Sequence, residues 1–269
     1  MPVSNRRGSC VFKAVLPVLA LTLSLTVTGC AGLSARMELD QGTDLLGQGR
    51  AADALPHFDR AVGLQPQLAC AYALRAQCHT SLKQWRQAAE DCHQAISCDK
   101  ANARAFAVLG QCEYHAGQFG QSRQDCDAAI RLDPAIAAAY LFRAADDNQL
   151  DDYKKAVEDC TKALSLGGVD KDALMTRARA YTRLGQDAKA VEDWTQALAL
   201  DPTLVDAFAF RGVACYKLGQ YKKAVDDLTQ VIAMGQERKE PYYLRGLAYE
   251  KLGMHDCAVR DFERARHFR

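Results

Sequence analysis

Arginine recurs at Arg75, Arg143, Arg177, Arg211 and Arg245, and aspartate follows in step at Asp91, Asp125, Asp159, Asp193, Asp227 and Asp261. Opposite charges repeated in this way can close ion pairs inside a fold or lay a basic ladder along a binding surface. The arginines share a helix face with packed residues, which favours the internal pair. Breaking such a pair by removing one partner costs about 3–5 kcal/mol. A second group that could do chemistry is Cys70, Cys78, His79, Cys92, His93, Cys98, Cys112 and His115. Thiolates and imidazoles bind metals, yet the group holds no Cys-x-x-Cys pair, the close spacing that structural zinc favours. It reads as buried thiols beside half-exposed histidines, and no metal is expected. A third group, Asp146, Asp147, Asp151 and Asp152, lacks the glycine and alternate spacing of a calcium loop and reads as a solvated turn. There is no Gly-rich phosphate loop, no His-Glu-x-x-His and no serine in a nucleophile elbow. No catalytic residue and no cofactor is expected.

The elements that must position these residues follow one rule. Seven segments align without a gap at 34 residues, starting at Ala35, Ala69, Ala103, Ala137, Lys171, Val205 and Lys239. A fixed period of this length marks a stacked-repeat architecture. With Ala35 as position 1, positions 8, 20 and 27 hold small residues, with one valine at Val231. Position 24 is bulky or a thiol: Phe58, Cys92, Cys126, Cys160, Trp194, Leu228 and Phe262. Large beside small is how a helical hairpin interdigitates. Positions 4, 7, 8 and 11 share one face of a first helix, and 20, 24 and 27 share one face of a second. Glycine stands between them at position 15 in five repeats, with Lys83 and Asp151 as exceptions. Pro66, Pro134 and Pro202 stop the second helix. Helices of about 12 residues are marginal alone, so stacking must hold them. The ends differ: position 28 is apolar six times but Arg266 in the last repeat, and repeat one carries Glu38, Gln41 and Gln48. Polar end faces are what a finite stack needs for solubility.

These columns resemble the tetratricopeptide repeat, most legibly over Tyr242-Tyr243-Leu244-Arg245-Gly246-Leu247-Ala248-Tyr249 and on through Leu252-Gly253 to Ala258. The resemblance covers residues 35–269. It implies an all-α fold, a right-handed α-solenoid of seven helix-turn-helix repeats with a concave groove lined by the first helices. In that family's geometry positions 2, 5, 9, 12 and 13 face the groove. The N-terminal half then offers Leu39, Thr43, Ala73, Gln77, Ala107, Gln111, Tyr114 and His115. The C-terminal half offers Met175, Arg179, Arg183, Tyr216, Lys217, Tyr243 and Lys251. The expected partner-binding residues are Tyr114, His115, Arg179, Arg183, Tyr216, Lys217, Tyr243 and Lys251, with Tyr216 and Tyr243 foremost because exposed aromatics supply contact area at low entropy cost. Position 13 is basic in repeats five to seven while position 2 is acidic (Asp172, Asp206, Glu240), so a peptide of matching charge could be oriented between the two stripes. The helix macrodipole favours the same arrangement by ~0.3–1 kcal/mol per charge. Some members clamp a chaperone's C-terminal carboxylate with Lys and Asn at positions 5 and 9. Here those columns begin Leu39/Thr43, Ala73/Gln77 and Ala107/Gln111, so that docking is not expected.

Residues 1–29 have another composition: Arg6, Arg7 and Lys13 without an acid, then a mostly apolar stretch from Val11 to Val27. This is the pattern of a secretory signal, short and polar-diluted for a membrane span. Val27-Thr28-Gly29-Cys30 resembles the lipobox of bacterial lipoproteins. That resemblance implies residues 1–29 as a signal peptide, Cys30 as the lipidated first residue of the mature chain (diacylglycerol on the thiol, a fatty acyl group such as palmitate on the amine), residues 30–34 as a tether, and 35–269 as the repeat array. Ala31, in place of the family's inner-membrane retention aspartate, leans toward the outer membrane, facing the periplasm. After position 29 the chain has 31 Lys plus Arg against 33 Asp plus Glu, a balance that argues against nucleic acid as partner. The expected function is a non-catalytic, lipid-anchored scaffold at the bacterial envelope that binds other proteins or peptides in its groove. Envelope lipoproteins of this architecture include pilotins, outer-membrane assembly factors and hydrolase adaptors. The alternatives are a self-associating spacer whose partner is a second copy, or a periplasmic protein without lipid.

Overall fold

The computed structural model describes residues 32–235 and 238–268, and among them every regular element is a helix. Cys30 and the rest of the leader lie outside the described residues. Helix α1 spans 32–47, taking in residues 32–34 of the expected tether. It is followed by α2 (Ala51–Leu64), α3 (Ala69–Ser81), α4 (Trp85–Cys98), α5 (Ala103–His115) and α6 (Phe119–Leu132). Then come α7 (Ala137–Gln149), α8 (Tyr153–Gly167), α9 (Lys171–Arg183) and α10 (Asp187–Leu200). The last four are α11 (Val205–Lys217), α12 (Tyr221–Ala233), α13 (Lys239–Lys251) and α14 (His255–Arg266). From α3 onward each first helix occupies positions 1–13 of the 34-residue unit. The chain forms two compact units, one up to Val108 and one from Leu109.

Within every hairpin the turn is the same. Position 15 is left-handed, at φ 71–75° in the five glycines, 59° at Lys83 and 63° at Asp151. The next amide donates to the carbonyl five residues back at 2.8–2.9 Å in all seven repeats, from Arg50 to Leu45 through to Met254 to Tyr249. This is the Schellman closure, which satisfies a carbonyl that the helix end would otherwise orphan. The exceptions at Lys83 and Asp151 are therefore exceptions of residue type and not of backbone.

Packing follows the columns. A Cβ added to Gly246 would lie 2.7 Å from the Phe262 ring, and one on Gly110 would lie 2.6 Å from the Cys126 sulfur, so positions 8 and 24 of one hairpin touch through the missing side chain. The alanines at position 3 (Ala71, Ala105, Ala139, Ala173 and Ala207) are all sealed, and the position-28 residue of the preceding repeat packs there: Ile96 beside Ala105, Leu198 beside Ala207. Burial pushes the Cys78 thiol up to about 11 and Cys112 up to about 12, and it raises Cys126, Cys160 and Cys215 as well. These stay neutral thiols and serve as small hydrophobes. No disulfide joins cysteines among the described residues.

The repeated charges are internal pairs. Arg75 Nε and Nη2 donate to Asp91 at 2.8 and 2.6 Å, and Arg143–Asp159, Arg177–Asp193, Arg211–Asp227 and Arg245–Asp261 repeat the fork at 2.6–2.9 Å. The aspartates are buried and hold each guanidinium charged, raised above its usual range. The remaining nitrogen, Nη1, reaches back to position 25 of the preceding repeat: Asp59, Asp127, Thr161, Thr195 and Thr229, at 2.6–3.2 Å. Beneath four of the five guanidiniums lies the position-4 ring, Tyr72, Tyr140, Phe208 or Tyr242, at 5.5–5.7 Å. Repeat one, without the pair, joins His57 and Arg60 to Glu38 at 2.7 and 2.9 Å.

One expectation is overturned. Asp146 and Asp147, read as part of a solvated turn, are 0% and 1% exposed, whereas Asp151 is exposed. Positions 10 and 11 lie in the last turns of a first helix, four residues before the loop, where the neighbouring hairpin covers them.

Candidate partner-binding face

Within the second unit first helix α7 touches α9, and α11 makes a slight contact with α13, while no such contact joins second helices of successive repeats among the described residues. First helices that approach one another while second helices splay form the inner side of the stack. The expected groove residues differ in exposure. Arg179, Arg183, Lys217, Tyr243 and Lys251 are exposed, and so is His115. Tyr114 and Tyr216 are half-buried, and Ala73 and Ala107 are closed off.

The structure sorts these residues into three places. Tyr114 meets His115, Phe119 and Phe142 at ring separations of 5.4, 5.7 and 5.9 Å. Arg179 lies 6.0 Å over the Phe210 ring, which itself stacks on buried Trp194 at 5.4 Å, and Arg183 lies 5.6 Å over Tyr153. A guanidinium laid on a ring is fixed in orientation while its fork of donors stays free for a carboxylate. Lys217 is partly engaged, 3.6 Å from Asp187. Tyr216 meets Tyr221 edge-on at 5.5 Å and joins a core cluster with Cys215, Ala224 and Ala248, so its first duty is packing. Tyr243, 49% exposed, leans on Phe262 at 5.7 Å. It opens a pocket of about 540 Å³ shared with Leu247, Phe268, Lys239 and Arg266.

Sequence reasoning missed the rings that carry the cations, Phe210 and Tyr153, and the ring Phe142 beside His115. Phe142 and Phe210 stand at position 6, a column that runs Asp, Leu, Val, Phe, Thr, Phe, Leu and so shows no pattern. The contacts run between repeats: Phe210 at position 6 meets position 9 of the unit before, and Phe142 at position 6 meets positions 12 and 13 of the unit before. No group of three or more His, Cys, Asp or Glu among the described residues is arranged to hold a metal ion. His79 in particular turns to Gln84 at 2.6 Å and to Asp91 at 3.7 Å.

Profiles of the tetratricopeptide repeat match residues 39–99 and 81–136, a TPR repeat profile matches 178–219, and a further tetratricopeptide profile matches 240–265. The chain is a tetratricopeptide-repeat protein. No curated protein sequence matches it. Solved tetratricopeptide-repeat structures share its fold at low identity. PilF of Pseudomonas aeruginosa is 16% identical with a TM-score of 0.65, covering 83% of this chain and 98% of that one. PilW, a widely conserved type IV pilus biogenesis factor, is 18% identical with a TM-score of 0.62, covering 74% and 92%. YrrB, a TPR protein with an unusual peptide-binding site, is 17% identical with a TM-score of 0.53, covering 77% and 97%. No described helix of this tetratricopeptide-repeat protein is long and apolar enough to cross a membrane.

Proposed function

We infer that this protein is a non-catalytic scaffold that holds other polypeptides along its first helices, tethered to the outer membrane of a bacterial envelope by lipid on Cys30. The observation that carries the binding reading is the pair Arg179 and Arg183, exposed on the inner side and braced on Phe210 and Tyr153. Structural residues bury their charges in this fold, as the five arginine–aspartate forks do; these two guanidiniums keep theirs available. With Tyr243 and Lys251 they favour an extended or helical segment that carries carboxylates. The likeness to PilF and PilW, one of them a type IV pilus biogenesis factor, supports the envelope setting. The basic, apolar leader ending at Gly29-Cys30 supports the lipid.

Affinity capture from detergent-solubilised envelope tests the first part. Defined heterologous partners are expected, and Arg179→Ala with Arg183→Ala should weaken their capture at least about tenfold. Recovery of the protein's own copies alone would replace this reading with the self-associating spacer. Metabolic labelling with palmitate tests the second part: wild type should be marked and Cys30→Ala should not. A wild type that stays unlabelled is a protein without the anchor.

A further inference from the structure

Within repeats two to seven, three columns of the array break their rule at one place. Position 7 is arginine in repeats two and four to seven but Leu109 in repeat three. Position 20 is alanine throughout except at Ser122. Position 10 is small and sealed at Cys78, Cys112, Ala180, Ala214 and Ala248, each 0–3% exposed; it is aspartate at exposed Asp44 in repeat one and at sealed Asp146 in repeat four. The three departures meet. Ser122 donates to Asp146 Oδ2 at 2.6 Å in a fully buried bond, and Glu113 stands beside Asp125, whose counterparts in repeats two and four to seven are served by arginine. Asp147 lies alongside, sealed, with Arg123 Nη1 3.1 Å from Oδ1. Asp146 Oδ1 and both oxygens of Asp147 accept no hydrogen bond among the described residues. Two sealed carboxyls, Asp146 and Asp147, and two half-buried ones, Glu113 and Asp125, thus lie close together, and Arg123, the cation beside Asp147, is itself a third exposed. Burying that many anions is prohibitive, whereas burying protonated carboxyls that donate to one another is tolerable.

We propose that repeats three and four contain a proton-operated latch, in which Glu113, Asp125, Asp146 and Asp147 pack together only while protons keep them from all being ionised. The groups facing them come from four helices and a turn. Cys112 lies beside Glu113 on α5; Ser122, Arg123 and Cys126 come from α6; Arg143 comes from α7. Asp152 stands in the turn, and Lys155 and Asp159 come from α8. Arg143 is committed to Asp159 and Asp127, and Lys155 to Asp152, which leaves Arg123 as the local counter-charge. Desolvation raises Asp146 to about 7 and Asp147 to about 6, and desolvation with the Asp125 hydrogen bond raises Glu113 above the usual carboxylate range. A folded carboxyl with a raised pKa binds its proton when the unfolded chain has lost it. Its stabilisation is therefore complete below the ordinary carboxylate range near pH 4 and is lost as pH climbs through 6 and 7. The latch is tight in mild acid and loosens above neutrality. Tyr114 and His115 follow Glu113 on the same helix, and Phe142 precedes Asp146 by one turn, so the inner face of these repeats loosens with it. The latch operates whatever the face binds.

Amide hydrogen exchange on the full chain at pH 5.5 and 8.5, corrected for the intrinsic rate, tests it. Protection across residues 109–167 should fall at least about tenfold between the two pH values, because a carboxyl that folding makes ten times better at holding its proton returns that factor when it ionises. Protection across α10–α14, whose buried aspartates Asp193, Asp227 and Asp261 are paired with arginine, should hold. Glu113→Gln keeps a neutral hydrogen bond and should shrink the fall. The double substitution Ser122→Ala, Asp146→Ala restores the residues that the other repeats carry, and it should give a folded protein with a flatter profile. Equal protection changes in both segments, or a folded double variant with the wild-type fall, would overturn the latch.

Discussion

At the scale of single residues, the molecule distinguishes charges it consumes from charges it displays. Arg177 is held by two bonds of 2.8 Å to Asp193, which is almost wholly buried, and by a third to Thr161. Arg177→Met would leave that carboxylate without its counter-ion, and the segment α9–α10 should lose about 3 kcal/mol, the lower end for buried pairs because the arginine retains some exposure. Hydrogen exchange of the α9 and α10 amides reads this out, with Arg86→Met on an exposed pair as the control that should not move it. The pairing was legible in the sequence because both members recur in phase. Asp146 was not, because the one other aspartate of its column, Asp44, is exposed and gives no sign of a buried carboxyl. Its neighbours in the chain (Asp147, Asp151, Asp152) gave it the look of a polar turn, whereas its neighbours in the column (Cys112 and Ala180) already marked a sealed site.

At the scale of the hairpin, backbone geometry is imposed by closure and not by glycine. Lys83 takes φ 59° because the Gln84 amide must return to His79, and a side chain there costs about 1–2 kcal/mol. Glycine forfeits about 0.5–1 kcal/mol of that gain through its freer unfolded chain. Lys83→Gly should therefore stabilise the α3–α4 hairpin by about 0.5–1 kcal/mol, measured by the urea midpoint of the full chain. Element boundaries were legible because glycine, proline and the small columns punctuate them. The aromatic supports of the candidate face were not, since a ring that braces a neighbour's arginine needs no periodicity of its own. Tyr216 shows the opposite failing: its position promised exposure, and Tyr221, the first residue of the next helix, covers it.

At the scale of the whole molecule, family membership was readable from spacing alone, whereas the partner is not encoded in any column. Which units can be separated does follow from the structure. Every fork from repeat four onward closes within its own 34 residues, and what it borrows from the unit before is an exposed aspartate or a threonine hydroxyl. Deleting residues 239–269 should leave helical ellipticity per residue unchanged, as judged by circular dichroism. Deleting 103–136 should not, because Asp146 and Asp147 would lose Ser122 and Arg123. A gene that grows by tandem copying can therefore gain or shed most of these segments in a single recombination without stranding an ion in the interior. The third and fourth copies are the exception: having exchanged arginine and alanine for a shared carboxylic interior, they can be inherited only together.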